Sequence, residues 1–424
     1  MKTNYTFGLF HRTLYGFCLL MALTARAGWE GYPALQNRYK EHEFLAACRE
    51  GNCPAVHFYL ETSGFNCSAE YNSDLTYTAV TGLFTASQYG HVEVVRMLVA
   101  AGADLEWNCD GVTPLYIACQ NGHTEVVRML IAAGANVDRS RSSGATPLYI
   151  ASQNGHTEVV RVLIAPGAGA NVDRSRSSGA TPLYIASQNG HTEVVKRLIA
   201  GGADIDRSCI NGATSLFQAS QNGHTEVVKS LIAGGADIDR NCRDGAAPLF
   251  QASQNGHTEV VKSLIAGGAD LERSCCGGAT PLCMASQNGH TEIVKRLIVG
   301  GADIDRHCID GATPLFQASQ NGHAEVVRIL IEAGANPFIS WRPSHPRAVR
   351  QQTPLAQAKN KKWLTWPGSE KRRTYNNIIS MLSQAQGRCQ PAAKDDTKHQ
   401  TDQADEATPL LSTMSGLSLS GKRT

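Results

Sequence analysis

Eight histidines stand at one recurring position: His91, His123, His156, His191, His224, His257, His290 and His323. Imidazoles ligate divalent metals and transfer protons near neutral pH, so the set raises a metal centre or acid–base chemistry. The spacing argues against both. One histidine falls in each repeated block, most of them at the same interval, so they run in a row and share no common point. The row reads as the residue that begins a helix after a Gly-His turn. The Thr-Glu after most of them reads as a helix start, with the carboxylate favoured at the positive helix end.

Cysteine behaves the same way. Of 13 cysteines, Cys209, Cys242, Cys275 and Cys308 recur at that same interval. Equivalent positions in stacked helical units lie about 8–10 Å apart. A disulfide needs Cα atoms about 4.4–6.8 Å apart, so neighbours in this row should not bridge. A zinc site needs ligands that converge, and a row does not. These thiols read as small, half-buried fillers. The adjacent pair Cys275-Cys276 could bridge only with strain.

Arginine forms a third row: Arg139, Arg174, Arg207, Arg240, Arg273 and Arg306. Each follows an acid (Asp138, Asp173, Asp206, Asp239, Glu272 and Asp305), which predicts ion pairing between units. Arg141 and Arg176 have no adjacent acid and are candidate binding residues. No phosphate-binding loop, G-x-S-x-G elbow or Cys/His metal spacing occurs. The sequence therefore predicts no catalytic residue, no metal site and no cofactor. A stack of short units also lacks the deep closed pocket that catalysis favours.

The unit behind these rows is a block such as Thr181-Pro-Leu-Tyr-Ile-Ala-Ser-Gln-Asn-Gly-His191. Its opening residue recurs at Thr113, Thr146, Thr181, Thr214, Thr280 and Thr313, with Ala247 in the one gap. Thr before Pro predicts a helix N-cap with proline at the first helical position. Asn-Gly ends that helix, because glycine reaches φ > 0 without strain. A second helix follows, in which Val159, Val160, Leu163 and Ile164 make one apolar stripe. Gly-Ala-Asp or Gly-Ala-Asn closes it. A stretch such as Ile205 to Gly212 then reads as a hairpin finger leading to the next Thr.

A unit this short cannot bury its own apolar face and must stack on copies of itself. The pattern resembles the ankyrin repeat over roughly residues 40–385. The resemblance implies an all-α solenoid of helix-turn-helix units with β-hairpin fingers. About ten units are expected, including a degenerate N-terminal cap over 43–63 and a last unit from Thr353 to Leu382. Two departures stand out. Where the family carries a histidine after Thr-Pro-Leu, this chain has Tyr116, Tyr149, Tyr184, Phe217, Phe250, Cys283 and Phe316. An aromatic there replaces a polar contact by apolar packing. Second, Pro166-Gly167 lies in a two-residue insertion and should lengthen the loop after the second helix and disturb the local stacking angle.

The family binds protein partners through positions that vary between units, mainly finger tips on the concave face. Here the variable finger residues are Ile210 and Asn211, then Arg243 and Asp244, then His307, Ile309 and Asp310. Trp107 lies in an earlier finger. It is either an interface anchor or a packing residue against the degenerate neighbouring unit. Residues 341–373 hold nine Lys and Arg against the single acid Glu370, with Trp341, Trp363 and Trp366 interleaved. Such a segment can bind phosphate-rich surfaces or nucleic acid. A solvated cap, with the tryptophans covering the last repeat, is the simpler account.

Bulk composition adds exclusions. The net charge of +2 over 424 residues carries no global field toward nucleic acid or membrane. At the N-terminus, Lys2 and Arg12 precede an apolar run, Thr13 to Thr24, followed by Ala25-Arg26-Ala27. That order predicts a cleaved secretory signal over 1–27. A cytosolic N-terminal helix is the alternative, and the many thiols lean toward it. The remaining organisation is an N-terminal region with a capping repeat (28–72), the array (73–340), a capping repeat with a basic finger (341–385) and a polar disordered tail (386–424). No segment is long and apolar enough to span a bilayer. The expected function is non-enzymatic protein binding by a monomer, either secreted and directed at another cell's proteins or acting inside the cell as a scaffold. Nucleic acid is not expected as a partner, and 341–373 is the one segment that would bind it.

Overall fold

The structure is a computed structural model that describes residues 33–62, 79–275, 277–308, 311–340 and 352–389, with residues 66, 68, 71 and 72. Ten helix pairs follow one another along these residues. They are α1 Pro33–Glu50 with α2 Cys53–Glu61, α3 Gly82–Tyr89 with α4 Val92–Ala100, α5 Pro114–Asn121 with α6 Thr124–Ala132, and α7 Pro147–Gln153 with α8 Thr157–Leu163. Then come α9 Pro182–Asn189 with α10 Thr192–Ala200, α11 Ser215–Asn222 with α12 Thr225–Ala233, and α13 Pro248–Asn255 with α14 Thr258–Ala266. The last three are α15 Pro281–Asn288 with α16 Thr291–Val299, α17 Pro314–Asn321 with α18 Ala324–Glu332, and α19 Pro354–Trp363 with α20 Glu370–Cys389. Two short strands, β1 Tyr71–Asn72 and β2 Ala79–Val80, pair antiparallel with Tyr71 opposite Val80.

Each element forms for the reason its residues give. The Thr181 hydroxyl accepts the Tyr184 N–H at 3.1 Å and caps α9, and proline follows at the first helical position. Ala247 offers no such oxygen, so α13 alone among the first helices of the array from α3 to α17 starts without a side-chain cap. Gly190 ends α9 at φ +78°, a left-handed conformation. The second helix, α10, buries Val194, Val195 and Leu198 and leaves Glu193 and Lys196 paired at 2.7 Å in solvent. Its end is closed by the Ala203 N–H donating to the Leu198 carbonyl at 3.0 Å.

First helices stack on first helices and second on second. The first helices pack on one another more extensively than the second helices do. One continuous band of Leu, Val and Ala, from Phe44 to Leu382, runs between the two layers. A separate apolar cluster lies between first helices and fingers, built on Tyr116, Tyr149, Tyr184, Phe217 and Phe250. These are aromatics that stand where the family has histidine, and all are buried.

The Pro166-Gly167 insertion lengthens the loop after the second helix, as the sequence suggested. It shortens α8, which ends at Leu163, and is taken up in the following loop. The loop still returns to the usual closing bond, here Ala170 N–H to the Leu163 carbonyl at 3.2 Å. The contacts that cross to the next unit keep their usual lengths, as the histidine bonds below make plain.

Candidate protein-binding site

The histidine row is a set of staples between units. His224 Nε2 donates to the backbone carbonyl of Gln188, in the preceding unit, at 2.9 Å. Asn222 Nδ2 donates to the same carbonyl at 2.8 Å. The pattern repeats from His123 to His323, and across the insertion His191 reaches Gln153 at 3.0 Å. The imidazole lies against the preceding Asn-Gly turn. A Cβ added to Gly190 would lie 2.6 Å from His224 Nδ1, so both the turn and the approach require glycine. No group of His, Cys, Asp or Glu able to hold a metal occurs among the described residues.

The acidic row does something the sequence did not suggest. Asp206 accepts the backbone N–H of Asp237, in the next unit, at 3.0 Å. Asp173 and Asp239 do the same for Asp204 and Asp270. Among the described residues, the predicted ion pairs are found where the acid is the longer glutamate. Arg139 lies 4.0 Å from Glu106, and Arg306 lies 3.4 Å from Glu272. For Arg174, Arg207 and Arg240 no ion pair occurs among the described residues; Glu106 and Glu272 accept the same backbone amide with one oxygen and, being one methylene longer, reach the arginine with the other.

Three of the candidate contact residues are engaged inside the array. Trp107 is only 9% exposed and meets the Phe84 ring edge-on at 5.5 Å, so it is a packing residue and no exposed anchor. Arg141 Nη2 donates to Asp110 at 2.8 Å. That guanidinium holds the Asp110 carboxyl below the usual carboxylate range, first by the hydrogen bond and then by its charge. Arg176 sits over the Tyr149 ring at 5.3 Å. The sequence missed both partners because each lies in the preceding unit, where no local spacing ties it to its arginine.

The remaining candidates form the exposed surface. Each finger is a tight turn: Gly212 N–H donates to the Cys209 carbonyl at 2.8 Å, and Cys209 N–H to Ala213 at 3.1 Å. Adjacent fingers are tied by their backbones. Ser177 N–H donates to Ser143 at 3.1 Å, Ile210 N–H to Ser178 at 3.0 Å, and Arg243 N–H to Asn211 at 2.8 Å. The tip side chains point outward from this fixed frame. Ile210 is 60% exposed, and Asn211, Arg243, Asp244 and His307 are exposed as well. Ile309 and Asp310 lie outside the described residues, as do residues 1–32, most of the basic finger (341–351) and the tail from 390.

At the far end, Trp363 and Trp366 do not cover the last repeat. They are 81% and 84% exposed, with Leu364 between them at 81%. The cap is closed instead by Tyr375, whose hydroxyl donates to the Gln320 carbonyl at 2.9 Å. No helix among the described residues is long and apolar enough to cross a membrane.

The profile of the family described as ankyrin repeats (3 copies) matches residues 44–141, 134–209, 190–275 and 249–340. No curated protein matches the chain. The matched span covers most of the helix pairs, and the cap, turn, second helix and finger recur along it. The chain belongs to the ankyrin-repeat family.

Proposed function

We propose that this chain is a protein-binding module whose recognition surface is the strip of finger tips beside the first helices. Ankyrin repeats are protein-interaction modules, which supports the general reading. One observation supports the finer one. The finger backbones are fixed to one another by hydrogen bonds, while their tip side chains are exposed and differ chemically from unit to unit. A frame ordered before binding spares the entropy of ordering it on contact.

The test is a triple variant, Ile210→Ala, Arg243→Ala and Asp244→Ala. These side chains are exposed, so stability should move by less than about 0.5 kcal/mol per site. Partners captured by the wild-type protein should bind the variant at least roughly 30-fold more weakly, the effect of losing about 2 kcal/mol of contact energy. If the same partners bind with unchanged affinity, the finger-tip reading fails. Attention then moves to Trp363, Leu364 and Trp366 and the lysines Lys361 and Lys362 beside them, a surface suited to an anionic partner and sensitive to salt.

We further propose export, on the strength of the order of charge, apolar run and A-x-A in residues 1–27. A mature N-terminus at Gly28 supports it. A retained Met1 assigns the chain to the scaffold reading.

A further inference from the structure

One register relation runs the length of the aromatic cluster. The residue at the base of each finger meets the side chain that follows Thr-Pro-Leu in the preceding unit, at a constant offset along the chain outside the insertion. Arg141 lies beside Tyr116, and Arg176 Nη1 donates to the Tyr149 hydroxyl at 3.5 Å. Cys209 packs in the same cluster as Tyr184. Cys242 packs in the same cluster as Phe217, and Cys275 in the same cluster as Phe250. One step further, the ring is missing. Cys283 stands in its place, and the finger residue opposite is Cys308. The Cys308 thiol lies beside that of Cys283. Cys283 is 1% exposed and Cys308 is 9% exposed, and the Cys283 thiol also donates to the Arg306 carbonyl at 3.5 Å. At the preceding steps, from Tyr116 to Phe250, an aromatic ring faces the finger residue, and a ring has no exchange chemistry. Here sulfur faces sulfur.

We propose that Cys283 and Cys308 form a reversible disulfide, made by exchange with a low-molecular-weight disulfide such as oxidised glutathione, that staples α15 to the following finger. The more exposed Cys308 gives up its proton, and its thiolate attacks one sulfur of the small disulfide. One glutathione thiolate leaves and takes up a proton. The Cys283 thiolate then attacks the Cys308 sulfur of the mixed disulfide and expels the second glutathione, which takes the second proton. Two protein thiols are oxidised, one small disulfide is reduced to two thiols, and no other reactant is needed. With both thiols reduced, the neighbouring Cys308 holds the Cys283 thiol below its ordinary range against the opposing effect of burial, and Thr280 adds a smaller lowering contribution.

The relation also explains why the cysteine row as such does not bridge. Cys209, Cys242 and Cys275 pack against the aromatic cluster, and among the described residues of the row Cys308 is the one that faces a second thiol.

The experiment equilibrates the full chain in buffers of reduced and oxidised glutathione. Remaining thiols are then alkylated and the peptides mapped by mass spectrometry. A linked peptide joining Cys283 to Cys308, lighter by two hydrogens, should accumulate with a single midpoint. Cys242, which faces Phe217, should form no protein disulfide. In Cys283→Ser the linked peptide should vanish, and Cys308 should retain its glutathione adduct. Cys283→Phe restores the residue type of the flanking units at Phe250 and Phe316. It should fold, as read by circular dichroism, and carry no bridge. Under the same oxidising conditions, recovery of both wild-type thiols in alkylated form, or of either bridged to a different cysteine, overturns the proposal.

Discussion

Leu216→Ala is expected to destabilise the array by about 2–5 kcal/mol and to split its unfolding in two. Leu216 is fully buried in α11, near the middle of the stack, and belongs to the band that joins the two helix layers. Its removal leaves a cavity that the neighbouring helices can only partly fill. In a compact globular domain such a loss would lower one cooperative transition. In a linear stack each unit contacts only its neighbours, so a central defect uncouples the units before it from those after it. Urea denaturation followed by circular dichroism should therefore give a broadened or two-step curve, where the wild type gives a sharper one. A shift below about 1 kcal/mol, with the curve shape unchanged, would show that the central contact does not carry the coupling.

Gly190→Ala should cost about 2–4 kcal/mol, whereas Gly202→Ala should cost about 1 kcal/mol. Both glycines have positive φ, +78° and +84°. The backbone penalty is therefore shared, and the comparison isolates what surrounds each. Nothing lies within 4 Å of a Cβ placed on Gly202. A Cβ on Gly190 would meet His224 Nδ1 at 2.6 Å and push the ring from the Gln188 carbonyl. The difference between the two variants is the contribution of the staple. Chemical denaturation of both proteins measures it. Equal losses at the two sites would mean that the histidine bond contributes nothing beyond the turn.

Much of this fold was legible in residues that act locally. The Thr113, Thr146 and Thr181 caps bond N–H groups three positions on, and Asn-Gly ends the helices where it should. These contacts are short in sequence, and spacing alone specifies them. Contacts between units were less legible. The histidine row was rightly read as structural, yet its partner, a carbonyl of the preceding unit, has no local signature. Spacing paired the acids with the neighbouring arginines, whereas the aspartates bond backbone amides of the following unit. Trp107 was ambiguous for the same reason, since Phe84, which covers it, is distant along the chain. The signal was nevertheless present in the period. Once one offset between stacked units is known, it holds along the regular part of the array, and the same arithmetic places Cys308 on Cys283.

The most direct test removes one unit in register. Deleting Ser215–Ala247, one full period, joins Thr214 to Pro248 and rebuilds a Thr-Pro-Leu-Phe block. Helicity per residue by circular dichroism is the measurement. A nearest-neighbour stack should keep the wild-type value, because His257 then meets the Gln188 carbonyl that His224 vacated. Collapse of the helical signal would contradict a linear stack and point to a core that closes on itself.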